Sequence, residues 1–141
     1  MKKITFDTGL QEVDIGGGIL RFNPQDPNLY ARFDQAAEKL QKVEKEMMEK
    51  AEKAQENGVV QILHDADKQM KDILGWVFGA GNDFDAIVGG VNLLAIARNG
   101  QRVVTNLFAA LEPVLVEGAM ACANKRADQA VQQAASRRAA Q

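Results

Sequence analysis

Apolar positions near the N-terminus alternate with polar neighbours at Ile4 and Phe6 and again at Val13 and Ile15, and the run Ile19, Leu20, Arg21 and Phe22 follows. A period of two is that of a half-buried strand. Gly16-Gly17-Gly18 separates the last two runs, and glycine takes the positive φ angles of tight turns without steric cost. The pattern predicts a β-hairpin that pairs 11–15 with 19–22. Thr8-Gly9 marks an earlier turn or bulge, so Ile4–Asp7 is expected as a third short segment of the ribbon. A lone hairpin is marginal in water, so the helical body or another subunit must cover it.

The period changes at Asn23-Pro24. Asp26-Pro27 is a helix start, because Asp can cap free N–H groups and proline at the first position loses no hydrogen bond. Leu29, Phe33, Ala36, Leu40, Val43, Met47 and Ala51 or Ala54 then form one stripe, close to the coiled-coil interval. The opposite face is charged, with Glu38–Lys42, Glu46–Lys50 and Glu49–Lys53 as favourable (i, i+4) pairs. Asn57-Gly58 is the expected C-terminal stop. A helix of about 30 residues would run roughly 45 Å, so part of it should project or pack on a neighbour.

A second helix is expected from Val59 or Val60 to Val77, with Ile62, Ala66, Met70, Ile73 and Val77 as its stripe. Two helices joined at Asn-Gly form an antiparallel hairpin that buries the first stripe. Beyond the glycine-punctuated stretch 79–81, Asp83 should cap a short helix over 84–88. Another short helix is expected from Val91 to Ala97, stopped by Arg98-Asn99-Gly100. A longer one opens near Gln101, with Val103, Val104, Leu107, Phe108, Leu111, Val114 and Leu115 on its buried side. Pro113 should kink it or end its first half.

Composition narrows the core. The chain has 141 residues, 46% of them in the broad hydrophobic set, but 21 of those are alanine. After Gly118 the large apolar residues are Met120, Cys122 and Val131 alone. The expected fold is α+β, mainly α: an N-terminal hairpin (1–23), a helical body with a long first helix (24–118), and an Ala-rich basic tail (119–141). The tail has helix propensity but little to bury, so it should fray or order only on a partner.

Charge excludes several classes. Seventeen basic and 19 acidic residues give a net charge of −2, which suits neither a nucleic-acid coat nor an acidic solvating chain. Lys125, Arg126, Arg137 and Arg138 make the tail basic, but without interleaved aromatics no nucleic-acid binding is expected. No long uninterrupted apolar run occurs, so neither a membrane span nor a secretory signal is expected. Cys122 is the one cysteine, which fits a reducing compartment.

Candidate chemistry is sparse. His64, the single histidine, stands beside Asp65 and Asp67 without a second His or Cys ligand, and should lie exposed on the second helix. Asp83-Phe84-Asp85 lacks the further oxygens of a cation loop, and capping accounts for Asp83. Gly79-Ala80-Gly81 follows no strand, so it is no dinucleotide fingerprint, and no Gly-Lys-Ser/Thr loop is present. No nucleophile has a candidate base. The expectation is a non-enzyme with no metal and no cofactor. Trp76, Phe78 and Phe84 flank the glycine-rich loop and either cap the core or anchor a partner.

The order of elements resembles a known family. A hairpin from Glu12-Val13-Asp14-Ile15 to Ile19-Leu20-Arg21-Phe22-Asn23-Pro24 precedes a long charged helix. The segment Ile73-Leu74-Gly75-Trp76-Val77-Phe78-Gly79-Ala80-Gly81 follows, then a helix with Phe108-Ala109-Ala110-Leu111. This is similar to the small tail assembly chaperones of long-tailed bacteriophages and prophages, over roughly residues 4–115. The resemblance implies a self-associating scaffold that coats the tape measure protein and recruits tail tube subunits. It also implies synthesis in the bacterial host's cytoplasm, absence from the mature virion and, in some members, a longer frameshifted form. The residues expected to meet partners are Ile15, Ile19, Phe22, Leu29, Phe33, Leu40, Val43, Met47, Trp76 and Phe78. The alternative is a small structural tail or connector subunit of the virion.

Overall fold

The computed structural model describes residues 1–140, with the side chains of 126–130 and 140 outside the description. The chain is mainly helical behind an N-terminal two-stranded hairpin. Strands β1 (Gln11–Ile15) and β2 (Gly18–Phe22) pair antiparallel with Ile15 opposite Gly18. Gly16 and Gly17 make the two-residue connection at φ +64° and +95°, the positive values such a turn demands. The Asp14 carboxylate accepts the Gly17 N–H at 2.8 Å and fixes the turn. The inward face carries Val13, Ile15, Leu20 and Phe22; the outward face carries Glu12, Asp14, Ile19 and Arg21.

Helix α1 (Pro27–Lys53) opens as its sequence requires, with the Asp26 carboxylate accepting the Asn28 N–H at 2.9 Å. It stops earlier than Asn57-Gly58. Ala54 is extended at φ −89°, ψ 156°, and α2 (Glu56–Phe78) begins at once. Asn57 and Gly58 therefore lie in the first turn of α2. Glu56 beside them complements the positive end of the helix dipole. The α1 stripe Leu29, Phe33, Ala36, Leu40, Val43 and Met47 is buried against Ala66, Met70, Leu74 and Val77 of α2. Arg32 donates to the Val77 carbonyl at 2.9 Å, a cation at the negative end of α2.

Gly79, at φ +104°, ends α2, and α3 (Phe84–Ile87) starts at the Asp83 cap. The aromatic rings of Phe22, Phe78 and Phe84 meet at 5.3 and 5.5 Å, which joins hairpin, α2 and α3. Gly18 is required there, because a Cβ would fall on the Ile87 carbonyl.

The stretch 91–97, expected as a helix, is a loop. Its backbone is committed elsewhere. The Leu93 N–H donates to the Asp67 carboxylate at 2.7 Å, and the Leu93 and Ala95 carbonyls accept the N–H groups of Val104 and Val103 at 2.8 and 2.9 Å. The loop thus satisfies free donors at the start of α4 (Val103–Ala140), a demand that no local pattern reveals. Leu93 and Leu94 turn into the core.

Helix α4 passes through Pro113 without ending. The carbonyl that Pro113 displaces is that of Ala109, and both residues are exposed, so water can take the bond. Phe108 of α4 stacks on Phe33 of α1 at 3.8 Å. At Gly118 the helix meets the β2–α1 connection so closely that a Cβ would overlap the Pro24 carbonyl. The tail continues as helix to Ala140, and 131–139 are exposed. Residues 1–10 form no strand, contrary to the ribbon segment expected at Ile4–Asp7.

Candidate partner-binding surface

The ten residues expected to meet partners divide into two groups. Phe22, Leu29, Phe33, Leu40, Val43, Met47 and Phe78 are buried in the molecule's own core, so the folded chain does not offer them to a partner. The antiparallel helical hairpin is what buries the α1 stripe. Ile15 is half-buried at the end of β1, while Ile19 and Trp76 are 49% and 43% exposed. The Lys39 ammonium lies 3.7 Å from the Trp76 ring centroid, so this tryptophan carries a cation–π contact on the surface of the helical pair.

The hairpin edges are unequal. In a ribbon closed by a two-residue turn, Gln11, Val13 and Ile15 exchange hydrogen bonds with β2, while Glu12 and Asp14 point theirs outward. On the β2 side the outward residues are Ile19 and Arg21. Asn82 closes Arg21 completely: its Oδ1 accepts the Arg21 N–H and its Nδ2 donates to the Arg21 carbonyl, both at 2.8 Å. Nothing similar covers Glu12 and Asp14 among the described residues. β1 is the open edge, flanked by a groove of about 680 Å3 between the hairpin turn, α3 and the start of α4.

The polar centre of the molecule lies on α2. Lys71 is buried and bonds Asp67 at 2.8 Å and Asp85 of α3 at 2.6 Å. Burial alone would lower the Lys71 pKa; the hydrogen bonds and negative charges of Asp67 and Asp85 outweigh it and hold the value above 10.5. Lys71 thus ties α2 to α3 through Asp85, and Asp67, with the Leu93 N–H on its other oxygen, ties α2 to the 88–102 loop. The sequence reading missed this set. Its signal was present, since Asp67 and Lys71 stand four apart beside the Ala66–Met70 stripe. His64 is exposed on α2, as expected. Among the described residues no group of three or more His, Cys, Asp or Glu side chains is placed to hold a metal ion.

The exposed part of α4 is apolar in a diluted way. Val103–Lys125 is long and apolar enough to cross a bilayer by length and composition: an 18-residue window within it has mean hydropathy 1.4, and 22% of that window is buried. Counting uninterrupted apolar runs overlooks this segment, because alanine and valine offset Glu112 and Glu117 in the average. Val104, Leu111 and Leu115 belong to the folded core, which commits one face of the helix to the protein interior. Lys125, Arg137 and Arg138 are exposed, and the side chain of Arg126 lies outside the described residues.

No family model, no curated protein and no solved structure matches this chain.

Proposed function

We propose that this protein is a phage or prophage tail assembly chaperone. It self-associates, binds the tape measure protein and recruits tail tube subunits, without catalysis, in the cytoplasm of the bacterial host. The observation that supports the reading most is the meeting of the two segments that carry the resemblance. The hairpin ends in Phe22, the helical motif in Phe78, and their rings pack edge to face at 5.3 Å, while Asn82 of the glycine-rich loop bonds the Arg21 backbone. Segments 56 to 61 residues apart in sequence thus act as one unit, which gives a reason for their occurring together. An open strand edge and exposed Ile19 and Trp76 suit a protein whose work is to hold others.

Co-expression with the tape measure protein tests the reading. The tape measure protein is expected to become soluble and to co-purify; a tape measure protein that stays insoluble with abundant chaperone present overturns it. Mass spectrometry of purified particles tests the alternative, because a tail or connector subunit would be present in many copies and a chaperone absent.

A further inference from the structure

Two features of this molecule lack a counterpart within it. One is the outer edge of β1, where Glu12 and Asp14 point backbone donors and acceptors at solvent. The other is the arm, residues 1–8, in which Ile4 and Phe6 alternate with polar residues and are each 81% exposed. A strand edge left open and a strand-patterned segment left alone are complementary objects. We propose that the arm of one copy of this chain adds to the β1 edge of a second copy as an antiparallel third strand.

Three observations select this occupant. The first is charge. The arm carries Lys2 and Lys3 against one carboxylate, Asp7, whereas the edge presents Asp14 and Glu12, the latter paired with Arg21 of its own hairpin at 3.1 Å. The second is register. Antiparallel partners directly opposite share a face, so Ile4 opposite Val13 puts Lys3 across from Asp14 and Thr5 across from Glu12. Ile4 then lies on the inward face, beside the groove that Ile15, Ile87, Val103 and Leu107 help to line. The alternative register that sets Ile4 opposite Ile15 brings Asp7 against Glu12, two like charges.

The third observation favours a second copy over the arm's own hairpin. The Thr8 carbonyl accepts from the Asn23 side chain at 3.0 Å, and the Gly9 N–H donates to the Asp7 carboxylate at 2.8 Å. Asn23 follows β2, so the Thr8 contact ties the base of the arm to the end of β2, and residues 1–10 form no strand on their own β1 edge. Gly9, at φ +76°, sets the direction in which the arm leaves, and a Cβ there would collide with the Asn23 side chain.

The inference concerns pairing between copies and holds whether or not the tape measure protein is the cargo. Light scattering on the full chain, on a chain lacking residues 2–7 and on Glu12→Pro tests it. Proline at 12 removes an N–H that points away from β2, so the hairpin's own ladder keeps its bonds. The full chain is expected at no less than twice its monomer mass of 15.4 kDa, and both variants at half the full chain's mass or below. Circular dichroism melts of the variants, matched to the full chain diluted to monomer, show that the fold is retained. A full chain that stays monomeric through the high-micromolar range overturns the inference. So does a deletion that keeps the full mass. An arm-deleted monomer that still solubilises tape measure protein would separate strand exchange from cargo binding and leave the exchange supported.

Discussion

Phe33 and Phe6 belong to equally regular apolar patterns, yet Phe33 is 1% exposed and Phe6 is 81% exposed. The difference lies in supply. The α1 stripe faces α2, which follows it after a two-residue break and presents Ala66, Met70, Leu74 and Val77 at matching intervals. The arm has no such cover among the described residues: residues 1–10 form no strand, and Ile4 and Phe6 stay exposed. Periodicity says which face of an element is apolar. It does not say whether the chain owns a second surface to cover that face.

The largest effect should come from opening the covered region. Phe33→Ala removes a ring that stacks on Phe108 and fills the junction of α1 and α4, and should cost about 3–5 kcal/mol in urea unfolding. Phe6→Ala, measured on monomer, should leave stability unchanged. Equal losses at the two positions would erase the contrast between core and arm.

The next effect concerns the polar centre. Asp67→Ala strips Lys71 of its buried partner and leaves the Leu93 N–H unbonded, for an expected cost of about 2–4 kcal/mol. Asp85→Ala should cost less than about 1 kcal/mol, because the Asp85 side chain is 66% exposed and solvent screens its pair. Reversal of that order would mean that the α2–α3 link, rather than the α2–loop link, holds this part together.

Alkali gives a third test. The Lys71 pKa is raised on folding, so its stabilising contribution is complete below the ordinary lysine value of 10.5 and is lost as pH climbs through the raised one. The stability difference between the natural chain and Lys71→Met should therefore be flat from neutral pH to about 10 and shrink above it. A difference that already shrinks between pH 6 and 9 would place the controlling group elsewhere.

Legibility in the sequence followed the range of the forces involved. The hairpin, its glycine turn, the Asp26 and Asp83 caps and the α1 stripe could be read because each is decided within a few residues. Of the α2 stripe Ala66, Met70 and Val77 are buried, while Ile62 and Ile73 are half-buried and Leu74 fills the core beside them. The α1–α2 break could not, since Ala54-Gln55 carries no stop signal and Asn57-Gly58 carries one that the fold leaves unused. The loop at 91–97 misled for a related reason. Val91-Asn92-Leu93-Leu94-Ala95 has helical character, but Asp67 and the start of α4 claim its backbone across the fold. On the surface, Ile19 and Trp76 are the exposed members of the expected set, and the closed and open hairpin edges could not be read, because Asn82 sits 61 residues from Arg21.

A similarly small effect should come from the far end of α4, which repeats the arm's situation in helical form. Its residues 131–139 are exposed, Val131 at 68%, and the packing of α4 on the β2–α1 connection is made higher up, at Gly118. Alanine lowers the cost of staying helical but buries almost no area, so continuation of α4 adds little to the stability of the body. Removing residues 131 onward should shift the unfolding free energy by less than about 0.5 kcal/mol, and the same deletion combined with loss of residues 2–7 should do no more. A clear loss from the tail deletion alone would show that the basic end of α4 contacts the body, and would move it from the open group to the covered one. A loss that appears only at high protein concentration would instead mark it as a second intermolecular contact, beside the strand edge.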